Sequence, residues 1–152
     1  MPFKINISEK SGKTFKIESD AEEILGKSIG EKISGSDISS ELNGYEFQIS
    51  GASDKSGFPL MENVEGVGLK RVLLGYGKGM HSRSRKEGKK KRSNMRPKGL
   101  RLRKTVRGKI LSGDVSQINL NVLKEGAKKL SEIFPEQNNL KETPKTAEVP
   151  AK

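Results

Sequence analysis

Apolar and polar side chains alternate at Phe3-Lys4-Ile5-Asn6-Ile7, a period of two that turns one face of an extended segment inward. Phe15 and Ile17 repeat the pattern after Glu9-Lys10-Ser11-Gly12-Lys13, which predicts a hairpin. Ser19-Asp20-Ala21-Glu22 resembles a capping box opening a short helix through Ile24-Leu25, closed by Gly26. The Gly/Ser-rich stretch from Ile29 to Ile38 stays ambiguous. Tyr45-Glu46-Phe47-Gln48-Ile49 reads as a central strand running into a loop of turn formers, Gly51 to Pro59. Val72-Leu73-Leu74 reads as a short buried strand, broken by the glycines at 75, 77 and 79. Thr105-Val106 and Ile110-Leu111 suggest a strand pair around Gly108, and Ile118-Asn119-Leu120-Asn121-Val122 alternates cleanly. Glu125–Phe134 fits one short helix stopped by Pro135. Short strands at this spacing, with few helices, predict a mainly β fold, a small antiparallel β-barrel with one or two short helices.

Charge changes this picture. The 152 residues carry 30 Lys/Arg against 19 Asp/Glu, a formal net charge of +11. Between Lys78 and Lys109 stand 15 Lys/Arg and one acid, Glu87, leaving a net charge of −3 for the rest of the chain. Gly75–Gly99 holds only three clearly apolar residues, Tyr76, Met80 and Met95, too few to offset the entropy of ordering the segment, so it is expected to be mobile when unbound. The predicted organisation is a single β-barrel domain over 1–126 with a basic arm inserted at 78–104, a short helix at 127–135 and a disordered tail at 136–152.

Most enzymatic chemistry is excluded by residue type. The chain has no cysteine and one histidine, so thiolate catalysis, cysteine-ligated zinc and multi-histidine metal sites are ruled out. Gly12-Lys13-Thr14 and Gly26-Lys27-Ser28 superficially suggest phosphate loops. The glycine required five positions earlier is Ile7 in one and Ala21 in the other. The glycines at 75, 77 and 79 lack dinucleotide-binding spacing. His81 sits among Arg83, Arg85 and Lys86, which disfavour the imidazolium a serine mechanism must generate. No catalytic residue, metal, cofactor or small-molecule substrate is therefore expected. No apolar run approaches membrane-spanning length and Met1-Pro2-Phe3-Lys4 lacks a secretory pattern, so the expected location is cytoplasmic, away from membranes.

What remains is nucleic acid. Lys and Arg neutralise phosphates and release counterions, and the guanidinium fork also engages phosphate or base edges bidentately. Fully extended, the basic segment would reach ~100 Å. Its shortage of aromatic side chains argues against a single-strand stacking platform and for phosphate-dominated binding to a large, structured RNA. The candidate contacts are Lys70, Arg71, Arg83, Arg85, Lys86, Lys89, Lys90, Lys91, Arg92, Arg96, Arg101, Arg103, Lys104 and Arg107. Asp54 is expected to cap local backbone amides.

Ile49-Ser50-Gly51-Ala52-Ser53-Asp54-Lys55-Ser56-Gly57-Phe58-Pro59-Leu60-Met61 closely resembles the signature of the archaeal/eukaryotic-type small-subunit ribosomal protein six family. Three further blocks resemble the same family in the same order: Lys70-Arg71-Val72-Leu73-Leu74, Arg103-Lys104-Thr105-Val106-Arg107-Gly108 and Gln117-Ile118-Asn119-Leu120. The resemblance covers Tyr45 to about Gly126, is looser before Gly44 and is absent from the tail. Ala52 stands where the family usually has glycine and Leu60 where it has methionine, while Leu100 and Leu102 interrupt the usual charged run. The short tail resembles archaeal members. The resemblance implies a structural constituent of the small ribosomal subunit, a β-barrel body contacting ribosomal RNA and neighbouring ribosomal proteins. The alternative is a non-ribosomal nucleic-acid-binding protein that meets ribosomes transiently.

Overall fold

The computed structural model describes residues 2–81, 99–135 and 137. Seven strands carry the fold: β1 (Phe3–Ser8), β2 (Thr14–Ser19), β3 (Lys32–Ser34), β4 (Glu46–Asp54), β5 (Leu69–Leu74), β6 (Leu102–Arg107) and β7 (Val115–Lys124). They form a five-stranded sheet in the order β2-β1-β7-β4-β3 and a separate two-stranded ribbon of β5 and β6. The body is mainly β, as its alternation predicts. The ladders do not close into the expected barrel, because β2 and β3 remain the edges of the larger sheet.

The predicted hairpin forms in register, with Ile5 opposite Ile17 and Ile7 opposite Phe15. Strand β1 also runs parallel to β7, and β4 pairs antiparallel to the other side of β7. These middle strands bury Ile5, Ile7, Phe47, Ile49, Ile118 and Leu120 almost completely. Each such side chain contributes about 1.5–3 kcal/mol by leaving water.

Strand β4 continues past Ile49 through half of the stretch read as loop. Ile49 lies opposite Leu120 and Gly51 opposite Asn119, so Ser50 is an extra residue, a β-bulge whose hydroxyl donates to the carbonyl of Asn119 at 3.0 Å. One extra residue reverses the phase of everything after it. Odd-numbered Phe47 and Ile49 face the core before the bulge, and even-numbered Ala52 and Asp54 are buried after it. The aspartate of the signature is thereby turned inward.

Five further readings are corrected. The Ser19–Glu22 stretch opens only a single 3-10 turn, Glu22–Ile24, with no side-chain cap, and the Ser19 hydroxyl donates instead to the Ile38 carbonyl at 2.9 Å. Val72-Leu73-Leu74 is strand but not buried: it lies in the two-stranded ribbon, where Leu73 is 53% exposed. Thr105-Val106 pairs with β5, while Ile110 bridges Ser28 rather than completing a hairpin around Gly108. The C-terminal helix α1 covers only Leu130–Ile133. Gln137, assigned to the disordered tail, is fixed by its side-chain amide, which accepts from the Lys16 N–H at 2.7 Å and donates to the Lys16 carbonyl at 2.8 Å. It occupies the free edge of β2 as a neighbouring strand would.

Candidate nucleic-acid interface

The β5–β6 ribbon owes its two-sided character to its register. Arg71 lies opposite Thr105 and Leu73 opposite Arg103, which places Arg71 and Arg103 on one face as diagonal neighbours. Sheet geometry sets such positions about 7–8 Å apart, a separation suited to two guanidinium groups addressing successive phosphates. Lys70 opposite Val106 and Val72 opposite Lys104 put two lysines on the other face. Lys70, Arg71, Arg101 and Arg103 are exposed and Lys104 is half-buried. The Lys70 ammonium donates to the Glu65 carbonyl at 3.0 Å, and among the described residues no carboxylate pairs with any of the five.

Arg107 differs. Its side chain is 10% exposed, and Nε and Nη2 donate to Asp54 Oδ2 at 2.9 and 2.6 Å. Nη1 donates to Asp114 Oδ2 at 3.0 Å and to the Val67 carbonyl at 3.2 Å. A guanidinium so engaged ties the end of β6 to the end of β4 and the approach to β7. Asp54 accordingly receives an arginine; its expected side-chain capping of backbone amides is not what the geometry gives. The Asp54 carbonyl accepts the Gly57 N–H at 2.8 Å, and Gly57 closes that turn at φ +82°, a conformation suited to glycine. Two backbone bonds complete the tie: Arg107 N–H to Pro59 O at 3.0 Å and Met61 N–H to Arg107 O at 3.1 Å. By residue type alone Arg107 groups with the other cations. The one signal in the sequence that could have set it apart is an aspartate and an arginine of opposite charge in separate motif blocks.

Residues 75–101 connect the two ribbon strands. Their first part is held in place, contrary to the expected mobility: Gly77 and Met80 exchange backbone hydrogen bonds at 2.9 and 3.0 Å, and Met80 is fully buried. His81 is exposed and meets Tyr76 edge-on, ring centroids 5.9 Å apart. Arg83, Arg85, Lys86, Lys89, Lys90, Lys91, Arg92 and Arg96 lie outside the described residues. The Lys27 ammonium is taken by Asp37 at 2.8 Å, and Gly12 and Gly26 occupy turns at positive φ. Among the described residues no group of three His, Asp or Glu side chains is placed to hold a metal ion.

The family model described as Ribosomal protein S6e matches residues 3–98 and 93–135. A protein named small ribosomal subunit protein eS6 from Methanococcus maripaludis is 40% identical over 127 residues, covering 83% of this chain and 90% of the relative. Its namesake from Archaeoglobus fulgidus is 36% identical over 141 residues, covering 90% and 98%. That of Methanocaldococcus jannaschii is 40% identical over 125 residues, covering 82% and 84%.

Proposed function

The chain belongs to the ribosomal protein S6e family, structural and non-enzymatic constituents of the small ribosomal subunit, and we propose that it stabilises folded ribosomal RNA in the cytoplasmic ribosome through the β5–β6 ribbon and the basic segment between its strands. The carrying observation is the juxtaposition of Lys70, Arg71, Arg103 and Lys104 on one ribbon, with Arg101 immediately before β6, with no carboxylate partner among the described residues and with the densest cationic stretch of the chain inserted at its end. Cations held by a paired backbone meet phosphates already positioned, so little ordering entropy is lost at that part of the interface. Arg83, Arg85, Lys86, Lys89, Lys90, Lys91, Arg92 and Arg96 extend the same charge into the RNA. Arg107 serves this interface by positioning the ribbon rather than by touching phosphate. Neighbouring ribosomal proteins are further partners. The isolated bridges Ser28–Ile110, Ser53–Pro59 and Leu60–Arg107 support reading the two sheets as one partly open barrel on which the ribbon is mounted.

Reversing Arg71, Arg103 and Lys104 to Glu tests the reading. Binding to small-subunit ribosomal RNA should weaken, and the slope of log K against log salt should fall by roughly 0.7–0.9 for each phosphate no longer neutralised. Unchanged affinity and slope would remove the ribbon from the interface.

A further inference from the structure

The outer face of the five-stranded sheet is built from residues that strands ordinarily avoid. Asparagine is depleted in strands, yet Asn6 on β1 and Asn119 on β7 stand side by side in the parallel register at the middle of the sheet. Asn119 Oδ1 accepts from Asn6 Nδ2 at 3.0 Å and from Gln117 Nε2 at 3.1 Å. Both lone pairs of that oxygen are used, which fixes the three amides in one orientation. Asn6 Oδ1, Gln117 Oε1 and the Asn119 NH2 group are left without partners among the described residues, so the cluster presents acceptors and donors together.

Lysines frame it. Lys16 lies opposite Asn6, and Lys4 lies opposite both Gln117 and Glu18. Across the sheet the Asn119 row ends at Gly51, where the Lys78 side chain lies close over the backbone and donates to the Ser50 carbonyl at 3.3 Å. Lys78 is also the first cation of the basic segment, so this face is continuous with the proposed RNA interface. Lys4, Asn6, Lys16, Glu18 and Gln117 line a shallow depression of about 370 Å³.

We propose that this amide face is a second RNA-binding surface that seats the minor groove of an RNA helix, its carboxamides bonding 2′-hydroxyls while Lys4, Lys16 and Lys78 address the flanking phosphates. The proposal rests on the ribosomal RNA reading above. Three neighbouring strands span roughly 10 Å, and the RNA minor groove is wide and shallow and displays hydroxyls that both donate and accept. Lysines stand on two sides, with Glu18 opposite Lys4 and the Glu62 carboxylate 3.5 Å from the Lys78 ammonium; both acids are exposed and hold their lysines weakly, so phosphates on the two edges of the groove can displace them.

The test uses the full chain, the Asn6→Thr/Asn119→Thr variant and the Lys4→Gln/Lys16→Gln variant, each bound to a small-subunit ribosomal RNA transcript with hydroxyl-radical footprinting. Threonine suits a strand, and thermal unfolding verifies the fold. The amide variant should bind about tenfold more weakly, the loss expected for one to two net hydrogen bonds. Its salt slope should not change, because amides release no counterions. Ribose protections on one helix should vanish while those dependent on the ribbon persist, and the lysine variant should lower the slope. A folded amide variant that binds within about twofold of the parent and keeps every protection overturns the proposal. So does one that releases a neighbouring protein from assembled subunits with protections intact. Failure of the parent chain to bind the transcript would instead show first, and would sink the ribosomal RNA reading with it.

Discussion

Replacing Arg107 by methionine removes the guanidinium but keeps most of the aliphatic volume. Asp54 is then left with a carboxylate that is 5% exposed and stripped of both charge-assisted hydrogen bonds. Breaking a buried pair from one side costs about 3–5 kcal/mol, because the surviving charge stays desolvated. The bond to Asp114 adds little, since that side chain is 63% exposed and solvent screens exposed pairs to below about 1 kcal/mol. We therefore expect about 3–4 kcal/mol of destabilisation, or roughly 10 °C in melting temperature for a body of this size. The Asp54→Asn/Arg107→Met double variant should recover about half or more of that loss, since no buried charge then remains unpaired. Urea denaturation of the parent, both single variants and the double variant closes the thermodynamic cycle. A single Arg107→Met variant within about 1 kcal/mol of the parent, or a double variant costing the sum of the singles, would refute the buried-pair reasoning. In RNA titrations the Arg107→Met variant, held below its melting temperature, should lose affinity through misplacement of the ribbon while retaining most of the salt slope.

Three other outcomes follow from the fold. Deleting Ser50 removes the bulge but leaves Ile49 opposite Leu120 and Gly51 opposite Asn119, so Asp54 stays inward and the variant, like Ser50→Ala, should still give a cooperative urea transition; its loss would refute the register. Leu120→Ala, at a fully buried position in β7, should cost about 2–5 kcal/mol, while Leu123→Ala at a position 38% exposed should stay within about 0.5 kcal/mol by chemical denaturation. Tyr45 carries a phenol raised above 10.0 by burial and by the carboxylates of Glu125, Glu9 and Glu132, and its hydroxyl donates to the Lys128 carbonyl. The folded state holds that proton longer than the unfolded state, so stability falls as pH rises past about 10. Tyr45→Phe should be less stable near neutral pH by about 1 kcal/mol, and denaturation midpoints should show the gap narrowing at alkaline pH; a constant gap would count against it.

Much of the β architecture was legible because period-two alternation is itself the imprint of a one-sided core. Ile5, Ile7, Ile118 and Leu120 alternate in the sequence and are buried in the fold. Strand β4 reads too short in the sequence because the bulge at Ser50 breaks the alternation that identifies a strand. Val72-Leu73-Leu74 looks like a core strand by its apolarity, but burial depends on what packs over a strand, and in the ribbon Leu69 and Leu73 of β5 stay exposed while Val106 of β6 is buried. At the interface, Lys70, Arg71, Arg101 and Arg103 were legible as exposed cations. Arg107 was not distinguishable from them, because its partner Asp54 is 53 residues away in the chain and a bulge decides which way that aspartate points. The amide face escapes sequence reading for a related reason: Asn6 and Asn119 become neighbours only through the parallel pairing of the first strand with the last.

Cosedimentation of the tagged full chain with small ribosomal subunits through a high-salt gradient bears most directly on its place as a structural constituent. Stoichiometric retention in the small-subunit fractions is the expected result. Loss of the protein to the top of the gradient, with binding to generic RNA intact, would contradict it and favour a transient nucleic-acid binder.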